Sequence, residues 1–234
     1  MDVRHATLET CAGTDGAVVV IDVIRAFTTA AFAFGAGARA IELVDTVEAA
    51  LARRAADPSL RVMGEVGGLR PPGFDFGNSP LEIAAADVAG RVLVQRTSAG
   101  TQGAVRCAGA QPLLLASFAC ARATVEHLRA ARARRVTLVS TGPEGEDQAC
   151  AAHLEALLRG EPPDPRLPEV AREAGLRRVA DPLAIAGHAA AEVDAFVADV
   201  HACVVTDRFD FAMPVRREAG RLVAMPSRRG SAGG

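Results

Sequence analysis

Short apolar runs rich in Val, Ile and Leu alternate with longer Ala-rich runs of helical period along most of this chain. "VVVI" at residues 18–21 is apolar throughout, as a strand covered on both faces requires. Strands are predicted at Ala17–Val23, Ala40–Val44, Arg61–Gly64, Arg91–Arg96, Pro112–Ala116 and Arg135–Ser140. Helices are predicted at Thr28–Ala36, Thr46–Ala56, Pro80–Ala86, Thr101–Ala108, Arg122–Ala133 and Glu146–Leu158. "SPLE" at Ser79–Glu82 has Ser at N-cap, Pro at N1 and Glu at N3, the signature of a capping box. Strand–helix alternation at this pace means βαβ crossovers. The expected fold is α/β, three layers α/β/α around a largely parallel sheet.

The pattern changes at "RGEPPDPRLPEV", residues 159–170, where Pro and charge replace the apolar periodicity. Helical patterns at Pro168–Ala174 and Glu192–Val200 follow, then "FDFAMPVRREAGRLVAMP", which reads as two strands joined across "RREAGR". The expected organisation is a main α/β part at 1–160 holding the ligand cleft and a smaller C-terminal α/β part at 161–226 packed on it. Residues 227–234, "SRRGSAGG", form a disordered tail.

Composition narrows the function classes. A net charge of -2 gives no electrostatic footprint for nucleic acid, and with 4% aromatic residues and no Trp or Tyr the chain lacks base-stacking platforms. Five scattered cysteines, never in a CxxC pair, read as reduced, buried small hydrophobes in a cytoplasmic protein. The N-terminus lacks the basic-then-apolar pattern of a signal peptide. Asp22, Arg25 and Arg39 cut the apolar runs, so no membrane span is expected. The Ala-rich, apolar composition suggests a homodimer.

Candidate chemistry sits where the strands end. In an open parallel sheet, ligands bind beyond the carboxyl ends of strands, often against helix N-termini. The first predicted strand delivers Asp22, then Arg25, Thr28 and Thr29; the third delivers Glu65 and a Gly/Pro-rich loop with Arg70, Asp75, Asn78 and Ser79. The fourth delivers "RTSAGT" from Arg96 to Thr101, the fifth Ser117, and the sixth "STGPEGED" from Ser140 to Asp147. Hydroxyls and Gly-rich turns at helix starts, with Arg25 and Arg96, suit an anion of several oxygens. The carboxylates Asp22, Glu65, Asp75, Glu146 and Asp147 suit a hard cation such as Mg²⁺. Together they outline phosphate-ester chemistry. Each residue alone has a plainer reading: Ser79 as a helix cap, Asp75 as an Asx-turn, Arg25 as an ion-pair partner, Glu146 and Asp147 as complements to a helix dipole. No GxGxxG, P-loop, HExxH, GxSxG or DxDx[TV] motif is present.

"VVVIDVIRAFTTA", "GEVGGLRPPGFDFGNSPLE", "RTSAGTQGA", "ASFACARA", "STGPEGEDQACAAHLEALL" and "DVHACVVTDRFDFAMPV" occur in the order found in the 2-phosphosulfolactate phosphatase family, which the chain resembles over most of its length. The resemblance implies an α/β fold and Mg²⁺-dependent hydrolysis of 2-phosphosulfolactate to sulfolactate and phosphate, a step towards coenzyme M. Matched to the family's motifs, Asp22, Arg25, Glu65 and Asp75 are the catalytic candidates. Asp22, Glu65, Asp75 and Asp147 are the candidate Mg²⁺ ligands. Thr28, Thr29, Asn78, Ser79, Arg96, Thr97, Ser98, Gly100, Thr101 and Ser117 are the candidate contacts to a small, multiply anionic phosphorylated substrate. The family's usual "TTNGT" reads "TSAGT" here, so Ala99 replaces an Asn and Arg96 is expected to restore the missing donor. Direct attack by water is the expected mechanism. A non-catalytic binding protein for a phosphorylated metabolite, or a lyase or isomerase of a phosphorylated acid, are the alternatives.

Overall fold

Along strand β2 (Ala17–Ile21), Val18 and Val20 enter one core while Val19 and Ile21 enter another, so the run is covered on both faces as its composition requires. In the computed structural model the described residues are 1–143, 145–180 and 190–228. Before β2 lies β1 (Asp2–Thr7); after it come α1 (Ala26–Gly35), β3 (Ala40–Leu43), α2 (Val47–Ala56) and β4 (Arg61–Gly64). Next are α3 (Pro80–Ala84), β5 (Val92–Arg96), α4 (Gly100–Arg106), β6 (Leu113–Ala116), α5 (Ala121–Ala130) and β7 (Arg135–Ser140). The chain continues through α6 (Glu146–Arg159), α7 (Leu167–Ala180), α8 (Ala190–Cys203), β8 (Phe211–Glu218), β9 (Arg221–Ala224) and β10 (Ser227–Arg228).

All six predicted strands form, and the predicted C-terminal pair forms as the hairpin β8–β9. Ser79 caps α3 by accepting from Glu82 N at 3.1 Å, but the Glu82 carboxylate reaches back to Gly77 N rather than to Ser79. β1 was not predicted. It is a mostly exposed edge strand, and its charged sequence "DVRHAT" lacks the apolar alternation that marks a half-buried one. Ser227 and Arg228, expected in a disordered tail, pair with β8; residues 229–234 lie outside the described residues.

The strand order is β1-β7-β2-β6-β8-β9-β3-β5-β4, with β10 beside β8. β1, β7, β2 and β6 are mutually parallel, as are β3, β5 and β4. The hairpin β8–β9 lies between these blocks and is antiparallel to β6 on one side and to β3 on the other. Two blocks joined this way run in opposite directions. In a flat sheet their carboxyl ends would lie on opposite edges. Five strand steps separate β2 from β5, and twist of roughly 20–25° per step turns one block through roughly a right angle or more against the other. The carboxyl ends of β2, β4 and β5 consequently meet at one corner.

Three cores follow from this coiling. The inner one holds Val18, Val20, Ile41, Met63 and Leu93 from both blocks against α1, α3 and α4. On the outer face of the first block, Val19, Ile21, Leu114 and Leu138 pack under α5, α6, α7 and α8. On the outer face of the second, Val62 and Val94 pack with Ala50 of α2.

Candidate functional site

Asp22, the first residue past β2, has the parity of Val18 and Val20 and is directed to the inner face. Its Oδ1 accepts from Ala26 N at 3.0 Å at the start of α1, whereas Oδ2 has no protein donor among the described residues. Burial raises its carboxyl from the usual carboxylate range to about 6, with the charges of Glu65 and Glu146 adding to the effect and the Ala26 N–H and Arg178 opposing it. Helix α4 starts directly against it. A Cβ on Gly100 would lie 2.7 Å from Asp22 Oδ2 and 2.9 Å from Ala26 Cβ, so only glycine lets the two helix starts come this close.

Two further carboxylates fasten the loops around Asp22. Glu65 Oε1 accepts from Ser98 N at 2.6 Å, and its Oε2 from Gly68 N at 2.7 Å and Ser98 Oγ at 3.0 Å, joining the loops after β4 and β5. Asp147 Oδ1 accepts from Val23 N at 2.8 Å; Oδ2 accepts from Gly142 N at 2.7 Å, Thr141 N at 3.0 Å and Thr141 Oγ1 at 3.2 Å. Burial, and next the Asp22 charge, raise Asp147 to about 7 despite those donors. Gly64 permits the approach of β4 to β5: at φ +137° it lies where a Cβ would sit 1.8 Å from Arg96 O.

Two guanidiniums face the carboxylates. Arg25 Nη1 donates to Asp199 Oδ2 at 2.9 Å, Nη2 is 3.4 Å from Gly68 O, and its Cζ lies 4.8 Å from the centre of the Phe196 ring. Arg178 on α7 pairs with Glu146 and donates to Ile24 O at 3.3 Å. These groups line a cavity of about 320 Å³ that includes Asp22, Glu65, Ser98, Ala99 and Asp147. A neighbouring cavity of about 400 Å³ shares Arg25, Gly67, Gly68, Asn78, Arg178 and Phe196 with it. Asn78, 7% exposed, lies on both, and its buried Oδ1 has no partner among the described residues.

Of the residues predicted from sequence, the fold brings Asp22, Arg25, Glu65, Asn78, Ser98 and Asp147 to the smaller cavity, and Ser79 to the larger. Gly100 stands directly behind Asp22. The others lie elsewhere. Asp75 Oδ2 accepts from Val62 N at 2.8 Å and from Arg54 Nη1 of α2 at 3.2 Å, and Asp75 lines neither cavity. Arg96, expected to replace the lost donor at Ala99, instead donates to Glu65 O at 2.7 Å and Asp45 O at 3.3 Å and lines neither cavity. Thr97 Oγ1 accepts from Thr101 N and the Thr101 hydroxyl donates to Thr97 O, both at 3.0 Å, so this pair caps α4 from within. Ser117 caps the short 3₁₀ turn Phe118–Cys120 by accepting from Ala119 N. Thr28 donates to Val23 O inside α1, and Thr29 is buried beside it. Arg178, Phe196 and Asp199 were missed. Arg178 and Phe196 gave little signal, as single residues in helices remote in sequence from every strand end, whereas Asp199 opens the segment "DVHACVVTDRFDFAMPV" and could have been found there.

The four carboxylates expected to hold Mg²⁺ do not form a cage. Among the described residues no three His, Cys, Asp or Glu side chains are arranged as a metal-holding group: Asp75 is engaged by Val62 N and Arg54, and both Asp147 oxygens are taken by loop donors. Mg²⁺ commonly takes only one or two protein carboxylates, with water and phosphate oxygens completing the shell. The unpartnered Asp22 Oδ2, within the electrostatic reach of Glu65 and Glu146, fits that smaller demand.

The family model described as 2-phosphosulpholactate phosphatase matches residues 4–214. The chain belongs to the 2-phosphosulpholactate phosphatase family. Proteins named "Probable 2-phosphosulfolactate phosphatase" are 45% identical over 129 residues in Thermus thermophilus, 35% over 145 in Bacillus subtilis and 43% over 128 in Deinococcus radiodurans. These alignments cover 55%, 61% and 54% of this chain and 54%, 64% and 53% of those relatives, so it matches them over half to under two thirds of their length. In this member of the 2-phosphosulpholactate phosphatase family, Ser98 of the "TSAGT" loop is drawn to Glu65, and Ala99 presents a methyl group to the cavity where an amide was expected. All five cysteines are buried and free. Among the described residues no helix is long and apolar enough to cross a membrane.

Proposed function

We propose that this protein is a phosphoric monoester hydrolase that converts 2-phosphosulfolactate to sulfolactate and inorganic phosphate with Mg²⁺, in the cytoplasm. The observation that carries this reading is a family match over residues 4–214 whose motif residues Asp22, Arg25, Glu65, Asn78 and Asp147 line one cavity. Asp22, through Oδ2, would hold the cation, with the Glu65 charge nearby. Bound Mg²⁺ would neutralise charge on the phosphoryl oxygens.

The rest of the work falls to side chains. The substrate carries phosphate, carboxylate and sulfonate, and Arg25 and Arg178 bring guanidinium donors to the same cavity. Asn78 offers a buried amide whose Oδ1 is unpartnered among the described residues. Glu65 keeps the Gly67–Gly68 turn and Ser98 in place on one side, and Asp147 does the same for Thr141 and Gly142 on the other. A water oxygen would attack phosphorus, the ester P–O bond would break, and the departing alkoxide would take up the proton that the attacking water releases. The absence of a DxDx[TV] phospho-aspartate signature from the sequence supports direct attack. Release of inorganic phosphate from a panel of phosphorylated acids, with and without Mg²⁺, tests this. The expected result is Mg²⁺-dependent release that is greatest with 2-phosphosulfolactate. Tight binding of that ester without release would instead identify a binding protein.

A further inference from the structure

Asp199 lies on α8, where it opens the segment "DVHACVVTDRFDFAMPV", and is completely buried. Three donors converge on it: Arg25 Nη1 at 2.9 Å, Ser79 Oγ at 2.7 Å and Leu81 N at 3.3 Å. The first belongs to the residue that presents a guanidinium to both cavities. The other two open α3, immediately after Asn78, which also lines both. One carboxylate thus spans the two walls of the cleft. Phe196, one turn earlier on α8, lies against the Arg25 guanidinium. The same helix therefore holds Arg25 by charge and by ring contact.

We propose that Asp199 is a positioning residue that fixes the Arg25 guanidinium and sets its separation from Asn78. A guanidinium carries five N–H donors in a rigid plane, so engaging one edge by a buried carboxylate orients the rest. Gly68 O, at 3.4 Å, is too distant to do this alone. Preorganisation of this kind matters most where donors must match several ligand oxygens at once. The inference rests on the cleft being the ligand site, as proposed above, and its structural half can be tested without turnover.

The Nη–H signals of Arg25 in ¹⁵N-labelled protein, assigned by their loss in Arg25→Lys, report rotation of the guanidinium. In the wild type they should show slow rotation, which Asp199→Asn should abolish. Ser79→Ala, which spares the Arg25 pair, should preserve it. Should Asp199→Asn not fold, Asp199→Glu serves, with an altered Arg25 signal expected. Slow rotation persisting in the Asp199 variant would overturn the proposal. In kinetics, Asp199→Asn should lower kcat/KM by about ten- to a hundredfold, as loss of an outer partner does at a metal site. Combined with Arg25→Ala it should add almost nothing; additive losses would show that Asp199 acts by another route. If the wild type releases no phosphate from any ester, the phosphatase reading fails, while the rotation measurement still decides the role of Asp199.

Discussion

Arg25 is held on three sides, by Asp199, by Gly68 O and by the Phe196 ring, and still lines the cavity. It is both an ion-pair partner and a candidate ligand clamp, two readings that looked exclusive in sequence. Arg25→Lys keeps the charge but loses the planar fork. It should cost roughly 1.5–3 kcal/mol in the transition state, or about ten- to more than a hundredfold in catalytic efficiency. Arg25→Ala also strands the buried Asp199, so about 3–5 kcal/mol of stability should go with it. Steady-state kinetics with thermal midpoints check both, and unchanged efficiency in the two variants would remove Arg25 from the site. Asp75 should behave in the opposite way. Its carboxylate serves Val62 N and Arg54, so Asp75→Asn should destabilise the fold by about 1–2 kcal/mol and leave the efficiency of the folded enzyme nearly intact. A collapse in turnover at unchanged stability would return Asp75 to the chemistry.

At the scale of elements, the site depends on how closely α4 approaches α1 and β2. Gly100 and Gly103 face Asp22, Ala26 and Val20 with no room for a side chain. Gly100→Ala should destabilise by about 1–3 kcal/mol through overpacking and displace Asp22, lowering turnover together with the midpoint. Gly109→Ala, with nothing within 4 Å of its Cβ, is the control and should be neutral or slightly stabilising. Equal effects of the two substitutions on midpoint and turnover would refute this account of the α4 start. The cap predicted at Ser79 forms, since it accepts from the N–H three residues on; Thr46, predicted as the first residue of its helix, caps α2 in the same way. Thr97 and Ser117 also accept from N–H groups at helix starts and the Thr101 hydroxyl donates to Thr97 O, so strand-end position alone does not separate such local bonds from ligand donors.

Across the whole molecule, coiling of the sheet concentrates negative charge. Asp22 and Asp147, raised to about 6 and about 7 from 3.8, bind protons more tightly in the folded state than in the unfolded one. Their contribution to stability is therefore complete below about pH 4 and is lost as pH rises through 6 to 7, on the order of 3 kcal/mol for a two-unit shift. Without divalent cation, the wild type should lose stability between pH 5 and 7.5 more steeply than Asp22→Asn. Mg²⁺ should raise the wild-type midpoint more at pH 7.5 than at pH 5, because the site it would bind is charged there. Denaturant titrations across this range check the first expectation, and thermal scans with and without Mg²⁺ the second. A Mg²⁺ shift equal at both pH values would remove Asp22 as a ligand.

Sequence by itself determined the local elements, because apolar period, caps and turn residues act over a few neighbours. It placed β2 to β7 and the C-terminal hairpin, and it put Asp22, Arg25 and Glu65 at strand ends. It also ordered the motifs well enough to indicate the family. Tertiary structure alone decided which strand ends meet. Inserting β8–β9 between two parallel blocks reverses their direction, and accumulated twist brings their ends back to one corner. Tertiary structure also placed Asp75 at Val62 N and Arg54, away from Glu65, although ten residues separate the two in a single motif. It also brought Asp199 to Arg25 across 174 residues of chain, a contact that no local pattern encodes because it forms only when α8 packs against the start of α3.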